Sequence, residues 1–282
     1  MQTLLAILFA LCAAATAGTA TDFDPFAGPK PVAVFIRTNP WLMAVGSDTP
    51  CVAIYENGDV IFQKTTDDEV TYRRITLDRN ELKSVRERFA PLLAETELKP
   101  KYDLRPGASD LPEAKFYVRD GEREVATSVY GLLSGGAKLA SRPGFKAAKV
   151  SPPPDALFSL HAWLDTFDYP GSTPWTPQYV EVMLWDYAYA PDASILWPSD
   201  WPSLSSDRTI KRRSAYSIYL DGSLLPKLDE FLSTRKEKGA VEIEGRKMSA
   251  TYRFAFPQEP VWLRAFARAN GADDRRGGTD VE

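Results

Sequence analysis

One histidine, His161, and two cysteines, Cys12 and Cys51, are all that 282 residues offer for imidazole or thiol chemistry. A Ser-His-Asp or Cys-His mechanism would have to use His161, because imidazole is the usual base near neutral pH. That residue stands beside Leu160 on the apolar stripe of a predicted helix, the setting of a packed histidine. A thiol enzyme would need a reactive Cys51. Cys51 opens the strand-like run Cys51-Val52-Ala53-Ile54-Tyr55 and reads as a small buried hydrophobe. The run Gly131-Leu132-Leu133-Ser134-Gly135 lacks the G-x-S-x-G spacing of a nucleophile elbow. So few His and Cys residues exclude a typical zinc site. Asp67-Asp68-Glu69 lacks the alternating oxygen ligands of a calcium loop and reads as a solvated turn. No Gly-rich phosphate loop follows a strand. No metal or cofactor is expected.

Carboxylates and aromatics remain. A glycosidase needs only two carboxylates at a set separation, and the chain has 38 acidic residues, so sequence alone singles out no pair. The most distinctive segment is Ile195-Leu196-Trp197-Pro198-Ser199-Asp200-Trp201-Pro202, in which two Trp-Pro units stand four residues apart. Trp185, Tyr187 and Tyr189 lie just upstream. Exposed aromatic faces could stack on sugar rings or clasp a peptide, with proline pre-ordering them. The alternative role is a long loop pinned to the core by its own tryptophans. Trp197, Trp201 and Trp185 are the ligand-binding candidates.

The N-terminus predicts export. An apolar run from Leu4 to Ala15 has the length of a signal-peptide core and is short for a membrane span. Small residues follow at Ala15-Thr16-Ala17 and Gly18-Thr19-Ala20, which predicts a signal peptide over 1–20. The n-region carries no Lys or Arg. Leu11 before Cys12 argues against lipidation, and no other stretch approaches the length of a span. Net charge is −4, and no basic face suggests nucleic acid. The run Lys211-Arg212-Arg213 beside a strand reads as a solvated edge. With 44% apolar and 26% charged residues, the composition is that of an ordinary globular protein. After cleavage Cys51 is alone, so stability must come from the core rather than from a disulfide.

The elements expected to hold these residues alternate between short strands and helices. Val32 to Thr38 reads as a strand. Cys51–Tyr55 and Val60–Phe62 flank Asn57-Gly58, a strong hairpin signal. Val70 to Leu77 is a further strand. Asp78 with Glu81 forms a capping box for a helix bearing Leu82, Val85, Phe89, Leu92 and Leu93. Asp120-Gly121 marks a second hairpin, and a helix carrying Leu157, Leu160, Leu164 and Phe167 follows. Beyond the linker come a strand at Val180–Tyr187 and a strand at Ala215–Leu220. A helix follows with Ser223 as its N-cap, then a hairpin across Gly245 and a last helix with Val261, Trp262 and Phe266. The two halves share this order, which suggests an internal duplication. The expected fold class is α+β, with two similar halves, each a small antiparallel sheet with packed helices. The expected layout is an irregular lead-in over 21–30, a first half over 31–169, a Pro/Gly linker over 170–178, a second half over 179–268 and a disordered tail over 269–282.

Cys51–Phe62, with Leu82–Leu93 and the Asp120-Gly121 hairpin behind it, resembles a family of uncharacterised secreted bacterial domains, over the first half only. The resemblance implies a bacterial, extracytoplasmic origin and supplies no catalytic residues. Taken together, the chain reads as an exported, soluble, non-catalytic module that binds a protein, peptide or glycan, in a periplasm or outside the cell. The alternative is a secreted carboxylate-dependent hydrolase acting on glycans.

Overall fold

The Asn57-Gly58 turn starts the first sheet. In the computed structural model, which describes residues 23–38, 40–41, 49–66, 69–133 and 152–271, it joins β2 (Val52–Tyr55) to β3 (Asp59–Thr66). Gly58 has a φ of +90°, and a Cβ there would lie 2.4 Å from the Leu77 carbonyl oxygen, so only glycine fits. The remaining strands of this sheet are β1 (Pro31–Thr38), β4 (Glu69–Thr76), β5 (Lys101–Asp103), β6 (Glu113–Asp120), β7 (Arg123–Tyr130) and β8 (Thr173–Pro174). Their order is β5-β7-β6-β1-β2-β3-β4-β8. Strand β5 runs parallel to β7, and the other neighbours pair antiparallel.

Nearly all of β1 is buried, because both faces of the sheet are covered. Phe35, Ile54, Phe62 and Phe116 face helices α1 (Arg79–Ala94) and α2 (Asp155–Asp165), meeting Phe89, Leu92, Leu157 and Leu160. The Asp78–Glu81 capping box forms: Asp78 accepts from the Asn80 and Glu81 N–H groups, and the Glu81 carboxylate accepts from the Asp78 N–H. On the other face Val34, Ile36, Tyr55 and Tyr117 meet Trp262 and Phe266 of helix α4 (Glu259–Ala269).

The second sheet contains β9 (Tyr179–Asp186), β10 (Ile195–Leu196), β11 (Thr209–Arg212), β12 (Ala215–Asp221), β13 (Val241–Ile243) and β14 (Arg246–Phe254). Their order is β10-β13-β14-β9-β12-β11, with β10 parallel to β13. Val182, Leu184, Ile218 and Met248 form its core with Leu228 of helix α3 (Leu225–Ser233).

The expectation of two small antiparallel sheets with packed helices is overturned. Strand takes up 37% and helix 23% of the described residues, in two mixed sheets of eight and six strands with four helices. Strands β5, β8, β10 and β11 are only two to four residues long. None shows enough alternation to be read from sequence. The sheets are also built differently. In the first, the leading arm of hairpin β6–β7 lies beside central β1; in the second, the trailing arm of β13–β14 lies beside central β9. The shared order of elements is therefore not one repeated topology. Ser223 makes no capping bond, and α3 is entered through a 3-10 turn over Gly222–Leu224.

The segment expected as a linker is bound down. Thr173 and Pro174 pair with Arg74 and Arg73, and the Arg73 guanidinium donates to the Ser172 hydroxyl and carbonyl. The lead-in belongs to the second sheet, with Phe23 and Phe26 packed on Tyr219. The signal peptide expected over 1–20, the tail beyond 271 and Asp67-Asp68 lie outside the described residues.

One charged chain joins the two sheets. Arg253 on β14 lies 2.6 Å from the Glu181 carboxylate on β9 and 2.5 Å from that of Glu259 at the start of α4. Glu181 and Glu259 are 1% and 2% exposed, so each ion is stable only while paired. Arg253→Met should cost about 3–5 kcal/mol in urea unfolding, since it takes from two buried carboxylates their closest cation and leaves Glu181 only the longer contact to Arg212. Replacing the three together by Leu, Met and Leu should recover most of that loss. If the triple variant is as unstable as the single one, packing rather than charge pairing dominates here.

Candidate functional site

The seam between the sheets holds the most chemistry. A cleft of about 320 Å³ opens there, walled by Pro25 and Gly28 of the lead-in, Tyr55, Asp59, Arg74 and Trp175. Its volume is at the small end of ligand pockets.

Asp59 is the cleft's carboxylate, and its oxygens are committed. They accept from Asn57 Nδ2 at 2.8 Å, Thr76 Oγ1 at 2.7 Å, and Arg74 Nη2 at 2.8 Å and Nε at 3.2 Å. Burial works to raise its pKa, but the bonds from Thr76, Asn57 and Arg74, with the Arg74 charge, outweigh it and hold the group below the usual carboxylate range. A carboxylate so fixed does not carry protons near neutral pH. Arg74 is half-exposed. With Nε and Nη2 turned to Asp59, its Nη1 has no acceptor among the described residues.

Tyr55 is fully buried, and its hydroxyl has no partner among the described residues. Burial, then the charges of Glu259 and Asp59, push the phenol well above its ordinary value. It stays a neutral donor. The indole Nε1–H of Trp262, in the same cluster, is also buried and unpartnered. Buried polar groups are nearly always paired, so two such donors in one cluster set this seam apart from the rest of the core. In the second sheet Tyr219 lies in register with Glu181. Burial and that charge push its phenol up to about 12.

The structure does not gather the sequence candidates. Trp201 is buried, edge-on to Trp197 at 5.1 Å, and both rings pack on Phe231. The Trp197 indole donates to the Pro202 carbonyl at 3.0 Å. Trp185 shares the strand face of Glu181 and Met183, opposite to Val182 and Leu184, against which the other two tryptophans pack. The sheet thus stands between Trp185 and the pair, and the loop is pinned inward. Tyr187 and Tyr189 contact edge to face at 4.9 Å, with Tyr189 well exposed.

His161 is fully buried, edge-on to Phe35, and neither ring nitrogen has a partner. No Cys51–His161 hydrogen bond exists. Burial raises the Cys51 pKa against a hydrogen bond from the Arg37 backbone and the Arg37 charge. The thiol is therefore protonated and inert near neutral pH. Among the described residues no three His, Cys, Asp or Glu side chains are placed to hold a metal.

Sequence reading passed over Tyr55, Asp59 and Arg74. Tyr55 looked like the end of a strand and Asp59 like the tail of a turn. The available signal was an acid following Asn-Gly, with an arginine on a neighbouring strand.

Tyr55→Phe removes a hydroxyl with no protein partner. Urea unfolding should show stability unchanged or raised by up to about 1 kcal/mol. A clear loss would mean that the hydroxyl is bonded within the fold. His161 yields a pH prediction. Burial lowers its pKa below the ordinary value of about 6.5; the Asp165 charge opposes this and the Arg37 charge assists it. The unfolded chain takes up this proton from about pH 6.5 downward, and the folded chain only below its own depressed pKa. Stability from this site is full above about pH 6.5 and is lost as pH falls through the folded pKa. His161→Leu should flatten that part of the stability–pH curve, and an unchanged slope would assign it to other groups.

No family model matches the chain, and neither a curated protein nor a solved structure matches it, so the site is read from its own residues.

Proposed function

We propose that the protein is a non-catalytic binding module that works outside the cytoplasm and takes an acceptor-bearing, anionic group of a peptide or glycan into the seam cleft. The observation that carries this is the buried, unpartnered Tyr55 hydroxyl on the wall of a cleft where Arg74 keeps one guanidinium nitrogen open. A buried donor without a partner and a guanidinium with one nitrogen still open suit a carboxylate. The apolar Leu4–Ala15 run followed by small residues supports export. No helix among the described residues is long and apolar enough to cross a membrane.

The hydrolase reading has less support. Acid–base cleavage of a glycan needs one carboxyl that holds a proton and another free to act. The seam cleft offers Asp59, which is committed. A second, more open cleft of about 440 Å³ holds Glu95 and Glu124. There Glu124 accepts from the Tyr117 hydroxyl and pairs with Arg268.

Acetate, N-acetylglutamate and galacturonate should be titrated against the wild type in thermal unfolding. A fitting carboxylate at about 100 times its Kd adds about 2.7 kcal/mol, a rise of several degrees. Arg74→Gln and Tyr55→Phe should lose that rise. A rise that survives both variants would place binding elsewhere. Turnover of a polysaccharide by the wild type, lost in Glu95→Gln and Glu124→Gln, would instead establish the hydrolase.

A further inference from the structure

Strand β11 closes one edge of the six-stranded sheet. Its Ile210, Lys211 and Arg212 are exposed, and so is Arg213 in the turn that follows. That turn to β12 is two residues long, Arg213 and Ser214, with positive φ at Arg213. In such a hairpin the flanking residues, Arg212 and Ala215, exchange both backbone hydrogen bonds, and the pattern alternates from there. The bond from the Tyr219 N–H to the Arg208 carbonyl, at 3.0 Å, falls in the same phase. The N–H and C=O of Lys211 therefore point away from β12, to the open side, as does the C=O of Thr209. The Thr209 N–H is already donated to the Ser206 carbonyl.

Side-chain direction sorts the edge into two faces. Lys211 lies on one face and Ile210 and Arg212 on the other, while Arg213 stands in the turn at the end of the strand. Arg212 is held in place: its Nε donates to the Ser217 hydroxyl at 3.0 Å, and its Nη2 lies 3.5 Å from the Glu181 carboxylate. Arg208, just before the strand, is paired with Asp221 at 2.9 Å. Lys211 and Arg213 have no acidic partner among the described residues. An unpaired edge is a template for another strand, and lysine on an edge deters pairing with a like copy. Lys211 and Arg213 repel a second β11 and attract a strand of opposite charge.

We propose that β11 is a docking strand for an acidic, extended peptide of a partner protein, which adds to the sheet as its seventh strand. Main-chain bonds to Lys211 and Thr209 supply the register. Carboxylates at every second position of the peptide meet Lys211 and Arg213, while the intervening apolar side chains lie beside Ile210. This surface is independent of the seam cleft.

The probe is the blocked pentapeptide Glu-Val-Glu-Val-Glu, titrated into the full chain at low salt and followed by amide NMR. Shifts should centre on residues 209–213, and binding should weaken as salt is added. Lys211→Glu with Arg213→Glu, both exposed and outside the core, should weaken binding by more than about tenfold. A peptide N-methylated along its backbone, of unchanged charge, should bind more than about tenfold more weakly. An unrelated exposed change such as Lys83→Gln should leave the shifts at residues 209–213 as in the wild type. Absence of shifts in β11 at millimolar peptide overturns the proposal. Equal binding by the N-methylated peptide overturns it too, because the contact would then be a diffuse attraction of charges rather than an added strand.

Discussion

The pairing of Arg253 with both Glu181 and Glu259 is the constraint on which the rest of the assembly depends. These three residues come from β9, β14 and the first turn of α4. Helix α4 follows the last strand of one sheet yet covers the other, packing Trp262 and Phe266 on Val34, Ile36 and Tyr55. Apolar contact alone is non-directional and would tolerate several seatings of a short helix. A guanidinium with two fixed carboxylate partners admits one angle of entry. Glu259 is also the acid of the first turn of α4, where the helix dipole favours it. The charged chain thus fixes where the second sheet hands its helix to the first, and with that the width of the seam.

Legibility from sequence divides along a physical line. Signals that act over a few residues were read correctly: the Asn57-Gly58 turn, the Asp78–Glu81 box, and the apolar stripes of α1 and α2. Each is a local conflict of sterics or hydrogen bonding with one solution. What failed was non-local. Thr173-Pro174 is a strand only because β4 lies beside it, and Ile195-Leu196 only because β13 does. Neither has a pattern of its own, so the sheets grew to eight and six strands instead of two small units. The Trp-Pro loop was distinctive for rigidity, and rigidity is what a loop folded onto Phe231 requires. Tyr55 illustrates the same limit from the other side. Its role rests on a hydroxyl without a partner, and the lack of a partner is a property of the folded surroundings.

Orphan polar groups differ in meaning with their surroundings. His161 and Tyr55 are both fully buried and both lack partners. His161 belongs to the buried face of α2, edge-on to Phe35, and lines neither large cleft. Its neutral imidazole is a cost carried for shape. Tyr55 lies on the wall of a cleft beside a guanidinium with a free edge. On the proposed reading, a ligand in the cleft completes that bond, and the cost becomes affinity.

The free edge at β11 is tied to this interior as well. Arg212 turns inward from the edge to Ser217 and Glu181, the residue that also pairs with Arg253. One end of the buried charged chain is therefore the outermost strand of the second sheet, and the other end is the helix that closes the first. A two- to four-residue edge strand held only by its ladder would fray, since few contacts oppose local opening. Anchored through Arg212, β11 keeps its outward N–H and C=O groups in a fixed line. Fixed groups lose little freedom when a partner strand arrives, and preorganisation of that kind is what lets a short edge bind at all.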